Sequence, residues 1–281
     1  MDVLVVDCAA ATAPADFVRS LRTTGFAVLV NHSLPTSLVE RVHDEWYRFF
    51  QSDAKHAYAY GEEQDGYFAP TIAETAKGAT VRDLKEFFHV YPWGQYPAEV
   101  SSAALDLRLA GAELAVSLLQ WVQDRSPGDV LDRLSMPLPQ MLEASTRTML
   151  RVLHYPPLRG DETPGAVRAA AHEDINLITV LPGSHEPGLQ VRDLQGGWHD
   201  VPANPGTVVV NAGDMLQWAT AGHYPSTTHR VVNPTGEGRF RSRMSTPLFL
   251  HPADQVVLAE GRTAYEFLQE RIRILRGLDP K

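Results

Sequence analysis

Three residues in the second half of the chain are of types that bind a transition metal: His172, Asp174 and His229. Residues two apart in a strand point to the same face, so His172 and Asp174 should reach one point while Glu173 points away. His229 begins another apolar run. Two imidazoles and one carboxylate make the facial ligand set that holds iron(II) and leaves positions open for oxygen and organic ligands. Each piece alone is weak evidence in a chain with 11 histidines, but together they predict an iron(II) site.

A second candidate site is Arg243-Met244-Ser245, which follows His229. Strand alternation places the guanidinium and the hydroxyl on one face. Arginine offers paired donors in a fixed geometry that suits a carboxylate. Because Arg243 lies in an apolar segment, and a buried arginine needs an anionic partner, the pattern predicts a carboxylate clamp. Arg239 and Arg241 share the alternation, and we expect them nearer the solvated end of the strand.

Short strands must position both sites. From about residue 147, apolar runs of strand length alternate with turn signals such as Pro182-Gly183 and Pro205-Gly206, which is typical of a sandwich or barrel. The predicted strands are Met149–Tyr155, Ile175–Leu181, Leu189–Val191, Thr207–Asn211, His229–Val232 and Met244–Leu250.

The first half of the chain is mostly helical in pattern. Helices are predicted at Pro14–Leu21, Pro35–Phe50, Ser101–Asp124 and Pro127–Ala144, with a strand at Gly25–Val30, an irregular stretch over 60–100 and a closing helix at Ala264–Leu275. The expected fold is mixed α/β with a mainly antiparallel core, a double-stranded β-helix or jelly roll supported by helices. We divide the chain into residues 1–100, supporting helices 101–146, the core 147–258 and a C-terminal helix 259–281.

Composition narrows the function classes. The 281 residues carry a net charge of −9, which argues against nucleic-acid binding. The single cysteine, Cys8, cannot form an internal disulfide, and neither a signal peptide nor a membrane-spanning run is evident. We therefore expect a cytoplasmic protein that acts on a small molecule, without nucleic-acid or membrane partners, and a monomer.

Taken together, these segments resemble the isopenicillin N synthase-like iron(II)/2-oxoglutarate-dependent dioxygenases. The resemblance also covers the N-terminal part, through Leu21–Phe26, Val30–His32 and Lys85–Phe88. The core motifs that carry it are Arg151–Pro157, His172–Asp174, Gly188–Val191, Trp198–Pro202, Val209–Met215, Ser226–Val232 and Arg243–Ser245.

The resemblance implies a role for each site residue. His172, Asp174 and His229 would ligate iron(II), and Arg243, Ser245 and Tyr155 would hold the distal carboxylate of the cosubstrate 2-oxoglutarate. Oxygen would be the oxidant, and hydroxylation of an unactivated C–H bond the default outcome. Two departures are Leu153-His154, where the family often has Asn-Tyr in Asn-Tyr-Tyr-Pro so that an asparagine contact is absent, and Glu173, where threonine is common.

Three alternatives stay open at this point. A relative that oxidises its substrate without 2-oxoglutarate, of the isopenicillin N synthase type, carries the same Arg-x-Ser. A zinc hydrolase using the same ligands would need a general-base carboxylate near the metal. A non-catalytic ligand-binding jelly roll would have no reason to keep the triad. The substrate itself cannot be read from the sequence.

Overall fold

The computed structural model describes residues 2–72, 81–259 and 261–275. The centre of the protein is a pair of facing β-sheets. Within these residues the larger sheet has nine strands. In pairing order they are β1 (Val5–Asp7), β2 (Phe26–Val30), β10 (Val208–Ala212), β7 (Ile178–Pro182), β13 (Leu248–Leu250), β5 (Met149–Tyr155), β4 (Glu86–Val90) and β3 (Gly66–Phe68), with β12 (Arg243–Ser245) also paired to β5. The smaller sheet pairs β6 (Ala169–His172), β11 (His229–Val231), β8 (Leu189–Arg192) and β9 (Trp198–Asp200) in that order. A hairpin of β14 (Val257–Ala259) and β15 (Arg262–Thr263) stands apart from both.

The pairing is almost entirely antiparallel. Among the named strands only β1 and β2 run parallel. Two facing antiparallel sheets are the arrangement of a jelly roll, so the predicted fold class is confirmed. Strands from the N-terminal part, β1 to β4, extend the same sheet as strands of the core. The boundaries of the four regions stay a prediction.

Helices cover the outer face of the larger sheet. They are α1 (Ala13–Thr24), α2 (Thr36–Gln51), α3 (Ala103–Arg125), α4 (Gly128–Leu131), α5 (Asp214–Ala219) and α6 (Ala264–Leu275), with 3-10 turns at Asp53–Tyr58, Leu138–Leu142 and Gly236–Phe240. The main hydrophobic core lies between these helices and the sheet. Trp46 of α2 is fully buried with its ring 5.0 Å from that of Phe88 on β4. At Gly111 of α3 an added Cβ would lie 2.7 Å from Leu248, so glycine permits this close helix–sheet contact.

Alternation along β5 separates the two faces of the larger sheet. Leu150 and Val152 join the core beneath the helices, whereas Leu153 and Tyr155 join an inner cluster with Phe87. On β12, Met244 likewise packs in the helix-side core. Arg243 and Ser245 therefore project to the inner face, toward the smaller sheet.

Two predicted elements are wrong. The helix predicted at Pro127–Ala144 is only the short α4 and the 3-10 turn, because Pro137 and Pro139 remove backbone donors and disfavour helix in the residues before them. The strand predicted at Met244–Leu250 is divided into β12 and β13 by Pro247, which has no N–H to continue the ladder.

The other predicted helices are present with small shifts of boundary, and α6 matches the predicted closing helix. The irregular 60–100 stretch contains β3 and β4, although residues 73–80 lie outside the described part, as do 276–281 at the C-terminus. In the portion of the chain that the structure describes, no helix combines the length and apolar character required to cross a bilayer.

Candidate active site

The register of the smaller sheet brings two histidines together. His229 of β11 lies directly opposite His172 of β6, and the centroids of their rings are 4.4 Å apart. Each ring is oriented by a backbone carbonyl two residues before it. Nδ1 of His172 donates to the carbonyl of Ala170 (2.8 Å), and Nδ1 of His229 donates to the carbonyl of Thr227 (3.1 Å). A carbonyl can only accept, so the proton is on Nδ1 and the lone pair of each Nε2 is available to a metal.

Asp174 completes the triad from a loop and not from a strand. The strand β6 ends at His172, so Asp174 does not follow strand alternation as predicted, although it still reaches the predicted point. Its Oδ1 lies 3.8 Å from Nε2 of His172 and 3.8 Å from Nε2 of His229. One ligand atom from each of the three residues lies within 4.8 Å of the others, so the triad could hold a metal ion.

Two neighbours determine which oxygen of Asp174 faces the histidines. Thr179 donates to Oδ2 at 2.6 Å and Asn211 donates to the same atom at 2.9 Å. With Oδ2 engaged, Oδ1 is the atom turned toward both imidazoles. Gly213 holds this loop close to β10, since an added Cβ there would lie 2.1 Å from the carbonyl of Asn176.

The electrostatics of the triad favour the forms that bind a metal. Burial, followed by the charge of His229, lowers the pKa of His172 to about 4. Burial alone raises the pKa of Asp174, but the two histidines and the hydrogen bonds from Asn211 and Thr179 together hold it below its ordinary value. A neutral His172 imidazole and an ionised Asp174 carboxylate are therefore present near neutral pH. The His172 side chain is still 39% exposed, so the triad has an open side.

The predicted clamp residues lie together on the larger sheet. Arg243 pairs directly with Tyr155 across β12 and β5, and Ser245 pairs with Leu153. All three predicted residues are buried, at 2% (Arg243), 3% (Ser245) and 3% (Tyr155) exposure. Nε of Arg243 donates to the carbonyl of Glu186 at 3.0 Å, but its Nη1 is buried without a hydrogen-bond partner among the described residues. An unpaired donor of this kind fits a carboxylate brought by a ligand.

Of the sequence departures, Leu153 lies beside the clamp, opposite Ser245 and in one cluster with Tyr155. The side chains of His154 and Glu173, in contrast, point away from both sites. His154 faces the helices, where its Nδ1 lies 2.7 Å from Glu86 and its ring stacks on Phe50. Glu173 is exposed and accepts a hydrogen bond from Thr228. The expectation that Arg239 and Arg241 share the β12 alternation is wrong, since Arg239 lies in a 3-10 turn and Arg241 in the link that follows; both are exposed, as expected for the solvated end.

Several buried polar residues around the site were missed by the sequence analysis. Thr179 and Asn211 orient Asp174, whereas the sequence pattern predicts Asn211 only as the last residue of the strand Thr207–Asn211. A buried ion pair of Lys85 and Asp83 (2.7 Å) supports β6, because Asp83 also accepts from the backbone N–H of Ala170 at 2.9 Å. Arg168 is wholly buried just before β6. The signal that identified Arg243, a polar residue within an apolar run, was also present at Asn211 and Arg168.

Comparison with known proteins gives the family. The model of the 2OG-Fe(II) oxygenase superfamily matches residues 146–252, and that of the non-haem dioxygenase in morphine synthesis N-terminal region matches residues 7–105. The chain is 48% identical to a Shewanella oneidensis protein described as an oxygenase, whose crystal structure superposes with a TM-score of 0.89 over 98% of this chain and 99% of that one. A Caulobacter crescentus protein described as a 2OG-Fe(II) oxygenase family member is 33% identical, with a TM-score of 0.77 over 97% and 99% of the two chains.

This chain belongs to the 2OG-Fe(II) oxygenase superfamily. The predicted family, the class of oxidoreductase and the cofactors iron(II) and 2-oxoglutarate are thereby confirmed at the level of the family. A plant relative, the bi-functional coumaroyl CoA and feruloyl CoA ortho-hydroxylase of Ipomoea batatas, is 29% identical over 81% of this chain, which spans 63% of that protein's length.

Proposed function

We propose that this protein is an iron(II)- and 2-oxoglutarate-dependent dioxygenase that oxidises an unactivated C–H bond of a small metabolite, with hydroxylation as the default outcome. The observation that carries the proposal is the arrangement of the triad: two imidazoles fixed through Nδ1 and one carboxylate fixed through Oδ2 present two nitrogens and one oxygen to a single point. This donor set is the one that non-haem iron(II) oxygenases use.

In this proposal His172, Asp174 and His229 are the metal ligands, and Arg243, Ser245 and Tyr155 bind the distal carboxylate of 2-oxoglutarate. The bound iron supplies the redox chemistry, in which oxygen converts 2-oxoglutarate to succinate and carbon dioxide and oxidises the substrate. The chain's own residues position and shield the reactants. Against the effect of burial, the two histidines and the hydrogen bonds from Asn211 and Thr179 hold the pKa of Asp174 below its ordinary value, and these hydrogen bonds also orient the carboxylate. The buried guanidinium of Arg243 offers an anion a partner that is shielded from water.

The test is substrate-driven turnover under labelled oxygen. The iron(II)-loaded protein is incubated with 2-oxoglutarate, ¹⁸O₂ and pools of small metabolites, and succinate and labelled products are measured by mass spectrometry. We expect one pool to yield succinate together with a product that has gained labelled oxygen. Both signals should disappear in His229→Ala and persist in His223→Ala, a histidine outside the triad.

Product formation without 2-oxoglutarate would contradict the cosubstrate assignment and identify an oxidase of the isopenicillin N synthase type. Turnover that survives in His229→Ala would contradict the triad. We further propose that the protein is a cytoplasmic monomer, and light scattering would test its oligomeric state. We also propose that it does not bind nucleic acid, which its net charge of −9 supports and a DNA-binding titration would test.

A further inference from the structure

Arg168 is a buried cation that the triad and the predicted clamp do not explain. Its side chain is 0% exposed. One nitrogen, Nη2, donates to the carbonyl of Arg241 at 2.9 Å, whereas Nε and Nη1 are buried without a hydrogen-bond partner among the described residues. Buried polar groups are normally paired, and a charged group left unpaired is especially costly. Two buried, unused N–H donors on one guanidinium indicate a place where a ligand binds.

The surroundings of Arg168 connect it with Arg243. Both guanidinium groups lie against the ring of Tyr155, with Cζ of Arg243 5.3 Å and Cζ of Arg168 5.9 Å from the ring centroid. The charge of Arg243 also acts on Arg168, since burial and then this charge lower the pKa of Arg168 to about 10. The anchor of Arg168, the carbonyl of Arg241, lies two residues before Arg243 on the same segment.

No carboxylate in the described part of the chain forms an ion pair with either cation. Burial lowers the pKa of both arginines and the charge of Glu186 acts to raise it, but the Glu186 carboxylate is paired with a third arginine. Its Oε1 lies 2.7 Å from Nε of Arg241, and Glu186 offers Arg243 only its backbone carbonyl as a hydrogen-bond acceptor. Two like charges held together in a buried site are stable when an anion lies between or beside them. Since the carboxylate of Glu186 is paired with Arg241, a ligand carboxylate would supply that anion.

We infer that Arg168 is a second arm of the cosubstrate clamp, so that Arg168 and Arg243 together bind the distal carboxylate of 2-oxoglutarate beside Tyr155. This inference rests on the proposed function. A carboxylate has about four lone-pair positions and can accept hydrogen bonds from two guanidinium groups at once. Two cations for one carboxylate select a dicarboxylic 2-oxo acid over a monocarboxylic one of equal chain length.

The experiment compares two ligands that differ only in the distal carboxylate. The full chain is loaded with Mn(II), which does not turn over, and 2-oxoglutarate and 2-oxovalerate are titrated by calorimetry into wild type, Arg168→Met and Arg168→Lys. For Arg168→Met we expect 2-oxoglutarate to bind about 10- to 100-fold more weakly and 2-oxovalerate to change by less than about twofold, because only the first ligand has the group that Arg168 contacts. Arg168→Lys should recover part of the lost 2-oxoglutarate affinity, since lysine keeps the positive charge but lacks the planar set of guanidinium donors.

The matched control is Arg239→Met, which removes an exposed arginine from the segment that leads into β12 and should change neither affinity. An equal loss for both ligands in Arg168→Met would overturn the inference and assign Arg168 a purely structural role. An unchanged affinity for 2-oxoglutarate would overturn it as well. If wild type itself does not bind 2-oxoglutarate, the proposed function fails, which is a different result.

Thermal unfolding of the Mn(II)-loaded protein gives a second readout. Without ligand, Arg168→Met should unfold at a temperature equal to or above that of wild type, because it removes a buried cation that lacks a partner. Added 2-oxoglutarate should raise the unfolding temperature of wild type more than that of the variant. A variant that is strongly destabilised without ligand would contradict the inference, since Arg168 would then be needed for the fold.

Discussion

The two inner sites of the molecule differ in how far the chain satisfies its own charges. In the triad, the one carboxylate, Asp174, lies between two imidazoles and accepts two further hydrogen bonds on its outer oxygen. At the other site, Arg168 and Arg243 are two buried cations with unused donors and no ion-paired carboxylate among the described residues. The chain supplies the anion that a metal needs, and it leaves to a ligand the anion that the arginines need.

This contrast has an energetic meaning. A preorganised triad can bind a metal with little rearrangement, because its tautomers and its carboxylate oxygen are already fixed. The arginine pair carries the cost of desolvation before any ligand binds and recovers it when a carboxylate arrives. We therefore expect variants of the triad to affect metal binding, and variants of the arginine pair to affect the cosubstrate.

The largest effect is expected for His229→Ala. Changing a residue that only supports a ligand typically weakens metal binding about 10- to 100-fold, and loss of a ligand itself should exceed this range. Iron(II) affinity, measured by competition with a chelator under argon, should fall below detection. His223→Ala is the control. Retention of wild-type affinity in His229→Ala would contradict the triad.

Arg243→Met tests whether the arginine site binds the cosubstrate independently of the metal triad. Truncating one partner of a buried charge pair costs about 2–5 kcal/mol, which corresponds to a loss of about 30-fold or more in 2-oxoglutarate affinity. Metal affinity should stay at the wild-type value, as should both affinities in Arg239→Met. A variant that loses metal and cosubstrate in parallel would show that the two sites are not separable in this way.

Thr179→Val should produce a smaller, selective effect. It removes one of the two hydrogen bonds on Oδ2 of Asp174 while keeping the shape of the side chain, so we expect iron(II) to bind about 10-fold more weakly. At saturating metal, the affinity for 2-oxoglutarate should not change. Thr23→Val, on the exposed face of α1, is the matched control. An unaffected metal affinity would mean that Asn211 alone orients the carboxylate.

Glu86→Gln should leave both affinities unchanged, because Glu86 faces the helices behind β4. Its carboxylate binds His154 (2.7 Å), Tyr67 (2.5 Å) and Lys55 (3.0 Å), so its substitution should lower the free energy of unfolding by about 1–3 kcal/mol in urea titrations. The control Glu113→Gln, at an exposed position on α3, should not change the free energy of unfolding. A loss of cosubstrate affinity in folded Glu86→Gln would contradict the assignment of faces on β4.

The pH dependence of that difference follows from the pKa of Glu86. Burial alone raises this pKa, but the hydrogen bonds from His154, Tyr67 and Lys55 bring it below its ordinary value of 4.5. A depressed carboxyl pKa adds stability above the unfolded-state value and loses it as the pH falls through the folded-state value. The stability difference between wild type and Glu86→Gln should therefore be full above about pH 4.5 and shrink below it. A difference that grows on acidification would contradict this.

The sequence was sufficient where a signal is local. Helices with a clear apolar stripe, short strands between glycine and proline turns, and the candidate residues His172, His229 and Arg243 could all be found from pattern and residue type. The failures are also physical. Prolines divided a predicted helix and a predicted strand, and Asp174 reaches the histidines from a loop whose path depends on its contact with Gly213. Asn211 and Arg168 act through contacts with segments far away in the sequence, and Thr179 acts across an irregular loop, so periodicity reports none of these contacts.

The most direct test of the central claim is an anaerobic titration of the apo-protein with iron(II) and then 2-oxoglutarate, followed by visible absorption. We predict a metal-to-ligand charge-transfer band that requires both additions, is absent in His229→Ala and needs much more 2-oxoglutarate in Arg243→Met. If iron(II) binds but 2-oxoglutarate produces no band, the arginine site does not serve this cosubstrate. If iron(II) does not bind at all, the triad is not a metal centre and the account is wrong.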